Sequence, residues 1–258
     1  MSLWHETRGI GPDLVLLHGW GLSSAIWGDF ADRLTERYRV TLIDLPGLGR
    51  SLPVGDMSLD VVVEALLAVA PERAHWLGWS LGGQLSLAAA GQAPDRVKTL
   101  TLIAANPCFV SRDDWPCAMA PETFSTFVES LAGNTARTLQ RFTALQTRGS
   151  ATAREEAGRL KAVIATAAPQ ALAPALKLLE CDLRSTLAAL NCPAQLILGA
   201  EDQLVPADLA EQARALNHHL HVQLLEQSAH LPFISHVDEV LIMINALVRQ
   251  VDGADAAG

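Results

Sequence analysis

Short apolar runs alternate with helix-like segments through the first hundred residues, and this alternation restricts the chain more than any other feature. LVLL at 14–17, RVTLI at 39–43, HWLGW at 75–79 and VKTLTLI at 97–103 are each bounded by turn residues. Between them, SSAIWGDFADRLTER, SLDVVVEALLAVA and LGGQLSLAAAGQ place apolar residues three and four apart, the helical period. Strands separated by helices are joined by crossovers, so the pattern predicts βαβ units and an α/β fold with a mostly parallel sheet. The rhythm changes from Asn106 to about Leu190, where helical spacing continues with breaks at Pro107, Pro116, Pro121, Pro169 and Pro174, and no strand stands out. AQLILGA at 194–200 and VQLLEQ at 222–227 then resume it, followed by the helical ADLAEQARAL and VDEVLIMINALVRQ. One domain is therefore expected, with an α/β core at 1–106 and 191–250, an all-helical insertion at 107–190, and a small acidic tail at 251–258 that frays. An insertion after a strand's carboxyl end stands over the ligand crevice of such a sheet, so this one is either a lid or a decoration.

With 258 residues, half of them hydrophobic, the chain is of a size for one large domain with a substantial core. Its formal charge of −9 argues against a general binder of nucleic acid or anionic membrane, because such surfaces need clustered positive charge. Cys108, Cys117, Cys181 and Cys192 form no CxxC pair and are too few for a disulfide scaffold, so reduced thiols are expected. The first residues carry charges rather than an apolar run, and no stretch approaches a membrane span. These features together predict a cytoplasmic protein.

Chemistry enters at GWSLGG, residues 78–83. A serine hydroxyl is a poor nucleophile near neutral pH and needs an exposed position, a neighbouring base and donors for the oxyanion it creates. Ser80 falls where strand HWLGW gives way to a helix at Leu81, with Gly78 and Gly82 leaving room for close backbone approach, which matches the GxSxG nucleophile elbow. A glycine-rich packing turn would satisfy the same pattern, but it would not need a matching acid and base downstream. Both are present in the order the elbow requires: Asp202 follows strand AQLILGA, and His230 follows strand VQLLEQ. In this reading His230 takes the Ser80 proton and returns it to the leaving group, while Asp202 fixes the imidazole tautomer. The oxyanion donors are expected to be the N–H of Leu81 and that of Trp20, in the loop HGWG after the first core strand. The Trp20 indole either walls the acyl pocket or simply packs. A serine at the elbow excludes the aspartate-nucleophile chemistry of haloalkane dehalogenases and epoxide hydrolases.

Neighbouring candidates rank lower. Glu201 precedes Asp202 but sits before the turn where the acid normally enters, and His236 falls at the start of the last helix, as a capping or surface residue. His218, His219 and His221 suggest a metal tract, yet no cysteine or carboxylate set accompanies them, so a solvated turn is expected and neither metal nor cofactor is called for. Asp44 is assigned to turn stabilisation, while His5, His75 and Trp79 have no role legible in the sequence.

Residues 130–161 contain Arg137, Arg141, Arg148, Arg154, Arg159 and Lys161 against Glu155 and Glu156, a local +4 within an acidic chain. Such a stretch is either a solvated helix face or a docking face for an acidic partner.

The stretches VLLHGWGL, TLIDLPGLGRS, HWLGWSLGG, RDDWP, RFTALQT and AHLPFISH, spread over 15–236, resemble the pimeloyl-acyl-carrier-protein methyl ester carboxylesterases of biotin synthesis, serine esterases of the α/β-hydrolase fold. RDDWP and RFTALQT, both in the insertion, are the most specific of these. The resemblance implies hydrolysis of the methyl ester of a pimeloyl chain still attached to acyl carrier protein, with Ser80, Asp202 and His230 as the triad. It further implies a substrate site lined by Trp20, Leu81, Phe142 and Gln146, and carrier binding through Arg137, Arg141 and Arg154 by a monomer. One position departs from the family: Gly158 stands where a further arginine is expected, and Arg159 follows it, turned by about 100° on a helix. The rival readings are a general short-chain carboxylesterase without a carrier partner and a hydrolase-fold binding module that has lost catalysis.

Overall fold

The computed structural model describes residues 3–164 and 169–255. Seven strands form one sheet: β1 His5–Arg8, β2 Asp13–Leu17, β3 Arg39–Ile43, β4 Ala74–Trp79, β5 Val97–Ile103, β6 Ala194–Gly199 and β7 His221–Leu225, in the order β1-β3-β2-β4-β5-β6-β7. All neighbours pair in parallel except β1, which runs antiparallel to β3 at the edge. β1 is not foreshadowed by any sequence pattern, since HETR carries no apolar alternation and its side chains are largely exposed. The other six strands coincide with the apolar runs to within a residue or two.

The crossovers are helical. The model contains α1 Gly28–Thr35 (entered through a 3-10 turn at Ser24–Trp27), α2 Leu59–Val69, α3 Leu81–Gln92, α9 Leu209–Leu216, a short α10 Pro232–Ser235 and α11 Val237–Asp255. Helices lie on both faces of the sheet, which is why the strands read as continuous apolar runs rather than alternating ones. Val15 and Leu17 of β2 join one core with Val62, Val63 and Leu66 of α2, while Leu14 and Leu16 join the other with Leu34 and with Val240 and Ile244 of α11. Helix α3 carries no charge and is buried through ten of its twelve residues, because it is enclosed by β2, β4, β5, α2 and α8 (Arg184–Ala188). α11 continues to Asp255, so residues 251–255 are helical rather than a frayed tail, while 256–258 lie outside the described residues. Among the described residues no helix is long and apolar enough to cross a membrane.

Between β5 and β6 lie α4 Pro121–Gly133, α5 Thr135–Thr147, α6 Ala153–Ile164, α7 Pro169–Lys177 and α8. Two sequence expectations need correcting here. Residues 106–120 are not helical but form a loop with isolated bridges, Cys108 to Asp182 and Val110 to Met119 among them. Asn106 organises it: its side chain donates to Cys117 O (2.7 Å) and accepts from Cys108 N–H and Trp115 Nε1–H (3.0 Å each). Nor does every proline break a helix: Pro121 and Pro169 start α4 and α7, where a missing N–H costs nothing, and Pro174 lies within α7.

Candidate active site

Parallel pairing of β2, β4, β6 and β7 brings four loops to one edge of the sheet. At the end of β4 the chain reverses sharply at Ser80, whose φ of 55° is a conformation that L-residues, unlike glycine, avoid. Its N–H donates to Ile103 O (2.9 Å), and its carbonyl accepts from Gly83 and Gln84, starting α3 at once. The glycines of the motif are required by packing: a Cβ at Gly82 would press into the carbonyl oxygens of Leu17 and His18, and one at Gly78 into that of Gly82. At the elbow the N–H of Leu81 donates to no protein group among the described residues, and the same is true of the Trp20 N–H in the loop after β2.

Asp202 and His230 meet as the strand order requires. His230 Nδ1–H donates to Asp202 Oδ2 at 2.6 Å, with both side chains buried. The other carboxylate oxygen accepts from the N–H groups of Leu204 (2.8 Å) and Val205 (3.1 Å), so the turn after β6 fixes the acid before the histidine reaches it. A proton on Nδ1 leaves Nε2 as a bare acceptor, and this buried atom bonds no protein group among the described residues, the Ser80 hydroxyl included. Glu201 is exposed and lies against Gly149.

The loop carrying Trp20 is held by a residue the sequence reading passed over. His18 is fully buried; its Nδ1–H donates to Gly19 O (2.8 Å) and its Nε2 accepts from Leu45 N–H (2.9 Å), bonds that define one neutral tautomer. Burial pushes its basicity down, which keeps it in that form. Next to it, burial pushes the Asp44 carboxyl up, but its neighbours outweigh this and hold it below the usual carboxylate range. It accepts from Ser24 N–H (2.7 Å) and from the N–H and Nε of Arg50. Asp44 therefore pins two loops, as its place at a strand end suggested.

Trp20 turns its indole under the inserted helices, where Nε1–H donates to Leu172 O (2.8 Å) and the ring packs edge-on to Phe127 and Phe142. These two phenylalanines, with Phe109, Phe124, Leu176 and Leu204, line an apolar cleft between the insertion and the sheet edge. Helix α5 is capped by Asn134, which accepts from Arg137 N–H. The hydroxyls of Thr138, Thr143 and Thr147 bond the carbonyls one turn back, so α5 presents buried polar residues without unmet bonds. Phe142 and Gln146, one turn apart, share its inner face, and the Gln146 carbonyl accepts from His230 N–H (3.0 Å).

Trp79, which has no role legible in the sequence, and Glu156, counted there only as a charge, acquire surroundings. Trp79, fully buried, donates from Nε1 to His230 O at 2.7 Å. Glu156 on α6 is also fully buried: Oε1 accepts from Ser150 (2.6 Å) and Thr152 (2.9 Å), and burial pushes its carboxyl up despite these hydroxyls. His75, which had no partner in sequence, lies at the opposite end of β4 between Thr99 Oγ1 (2.9 Å) and Asp252 Oδ2 (3.2 Å) of α11. His5 contacts Leu3 O, His236 lies beside Ser235 ahead of α11, and His218, His219 and His221 are exposed around the start of β7. All four cysteines are free, and burial pushes Cys117 and Cys192 up to about 11.

On the outer surface Arg137, Arg141, Arg148 and Arg154 are exposed, and none is paired with a carboxylate among the described residues. Arg159 is committed elsewhere: it pairs with Asp29 at 3.0 Å and its guanidinium lies against Gly28. Gly158 faces open space.

A sheet with one antiparallel edge strand, a strained serine after β4 and an Asp–His pair after β6 and β7 define a hydrolase of one architecture. Residues 12–237 match the alpha/beta hydrolase fold family, and the chain belongs to it. Within that family it is 44% identical over 252 residues to a pimeloyl-[acyl-carrier protein] methyl ester esterase from Serratia marcescens, covering 96% of this chain and 98% of the relative. A protein of the same name from Aliivibrio salmonicida is 39% identical over 255 residues, covering 97% of each. Among solved structures, an esterase from Exiguobacterium antarcticum superposes with a TM-score of 0.84 at 22% identity, covering 97% of this chain and 95% of that one, a likeness of fold alone.

Proposed function

We propose that this chain hydrolyses the methyl ester of a pimeloyl chain carried on acyl carrier protein, releasing methanol and freeing the distal carboxylate for biotin synthesis. The names and near full-length identity of its relatives support the substrate. The observation that carries the chemistry is the 2.6 Å His230–Asp202 bond, which leaves an unprotonated, buried Nε2 without a protein partner among the described residues.

In this mechanism the Ser80 oxygen attacks the ester carbonyl while its proton passes to His230 Nε2, and Asp202 stabilises the imidazolium. The N–H groups of Trp20 and Leu81 receive the oxyanion; both are free of protein partners among the described residues, as such donors need to be. Collapse breaks the carbon–methoxy bond, and the leaving oxygen takes the proton from His230 as methanol. Water then repeats the sequence on the acyl-serine, releasing the carboxylate and restoring Ser80. The slender acyl chain lies among Trp20, Phe142 and Gln146, beneath inserted helices that act as a lid. The exposed Arg137, Arg141 and Arg154 meet the acidic carrier.

The test is rescue of a biotin-requiring strain lacking its own esterase, together with methanol release by purified protein. Wild type is expected to restore growth and release methanol, and Ser80→Ala to do neither. Equal efficiency on a free short-chain methyl ester and on the carrier-bound one would favour a general carboxylesterase instead.

A further inference from the structure

Both main-chain polar groups of His230 are engaged by other elements. Its N–H donates to Gln146 O at 3.0 Å, and its carbonyl accepts from the Trp79 indole at 2.7 Å, the one donor to that oxygen among the described residues. Trp79 is the residue immediately before Ser80. It is fully buried, with its ring 5.5 Å from the His230 ring and edge-on to Phe233, in the short helix α10 that follows the histidine, at 5.2 Å.

We propose that Trp79 is a positioning residue: its indole N–H holds the His230 carbonyl, so one side chain ties the strand bearing Ser80 to the loop bearing the imidazole. The inference rests on reading Ser80 and His230 as nucleophile and base. Asp202 fixes the imidazole at Nδ1, and Gln146 O fixes the main-chain N–H, but the carbonyl side of the residue is still free to pivot without a further bond. The carbonyl bond removes that freedom, and it does so from the same strand that sets the position of the serine. Without the donor, a buried carbonyl is left unpaired and the loop shifts to satisfy it. Catalytic geometry tolerates such a shift poorly, because misplacement by about 1 Å costs on the order of a hundredfold in rate.

Trp27 supplies the matched control. It packs in the same aromatic cluster, 6.5 Å from Trp79 and 4.6 Å from Phe233, yet its buried Nε1 bonds nothing among the described residues. Trp79→Phe removes the donor and part of the ring; 3-benzothienylalanine at position 79 replaces N–H by sulfur and leaves ring volume nearly intact. Both are compared with Trp27→Phe and Ser80→Ala for kcat, KM and Tm on a methyl ester substrate. Both position-79 variants are expected to lose roughly tenfold in kcat with KM changed by less than about twofold. Trp27→Phe is expected to lower Tm and keep kcat.

Wild-type kcat in the benzothienyl variant beside an inactive Ser80→Ala overturns the proposal and leaves the triad reading standing. So does a Trp27→Phe that loses as much kcat as the position-79 variants, since packing alone would then account for the loss. Full turnover by Ser80→Ala overturns both the proposal and the triad reading.

Discussion

Neutralising the exposed arginines of the inserted helices together tests carrier recognition separately from chemistry. Arg137, Arg141 and Arg154 are exposed and unpaired among the described residues, so replacing them with alanine leaves no buried carboxylate behind. Stability is expected to change by less than about 0.5 kcal/mol per site. Arg137 and Arg141 are one turn apart on α5, and relief of their repulsion makes the first replacement slightly favourable. Each contact to an acidic carrier is a surface ion pair worth roughly 0.2–1 kcal/mol. Three of them sum to about 0.6–3 kcal/mol, or roughly a 3- to 150-fold loss in kcat/KM. The assay compares methanol release from the carrier-bound methyl ester with release from the free ester. The loss is expected on the carrier substrate alone and to appear mainly in KM. Added salt should bring wild type toward the triple variant, since screening shortens from about 10 Å at 0.1 M to about 3 Å at 1 M. Arg159→Ala is the internal control, because that guanidinium is occupied by Asp29. Equal losses on both substrates, or an Arg159→Ala loss matching that of Arg137→Ala, would refute the reasoning.

Three further outcomes follow from strain and burial. Ser80→Gly relieves a backbone strain on the order of 1–3 kcal/mol, less the roughly 0.5–1 kcal/mol that glycine's freedom costs on folding. It should therefore unfold in urea about 1 kcal/mol later than Ser80→Ala while both lack turnover, and a less stable glycine variant would contradict the strain. Burial pushes His75 down, only partly offset by Asp252. The unfolded chain then binds the proton first as pH falls below about 6.5, so stability drops by up to about 1.4 kcal/mol per pH unit until the folded imidazole also protonates. Denaturation at pH 7.5 and 5.5 should show a shallower slope for His75→Gln. Glu156, pushed up by burial, has the opposite sign: its ionised form costs stability at neutral pH, and that cost disappears as pH falls. Glu156→Gln should gain on the order of 1 kcal/mol at pH 7.5 and nothing near pH 4, and an equal gain at both would rule out a charge effect.

Six strands were legible because a sheet covered on both faces needs uninterrupted apolar runs such as VKTLTLI, and chain order singled out Asp202 and His230, whose side chains meet at 2.6 Å. β1 was not, because an exposed edge strand of His, Glu, Thr and Arg carries no hydrophobic period. The 106–120 loop was hidden for another reason: it is shaped by the bonds of one side chain, Asn106, rather than by any repeat. Buried polar groups were the least visible. His18, Glu156 and the indole N–H of Trp79 matter through partners 27, 4 to 6 and 151 positions away, and spacing says nothing about which distant carbonyl or hydroxyl a fold will deliver.

The inserted helices are joined to the sheet by more than side-chain packing. Gln146 O receives the His230 N–H, and Ala151 N–H reaches Gln227 O, so two main-chain bonds span the gap between the α5–α6 turn and the loop after β7. Such bonds do not depend on which side chains are present, only on where the backbone runs. A segment attached in this way is a poor candidate for exchange as a cassette. A graft from another hydrolase would have to present a carbonyl at position 146 and an amide at position 151 in the same places. Length changes between residues 146 and 151 would strain His230 directly, so this short turn should tolerate insertion less well than its exposed position suggests.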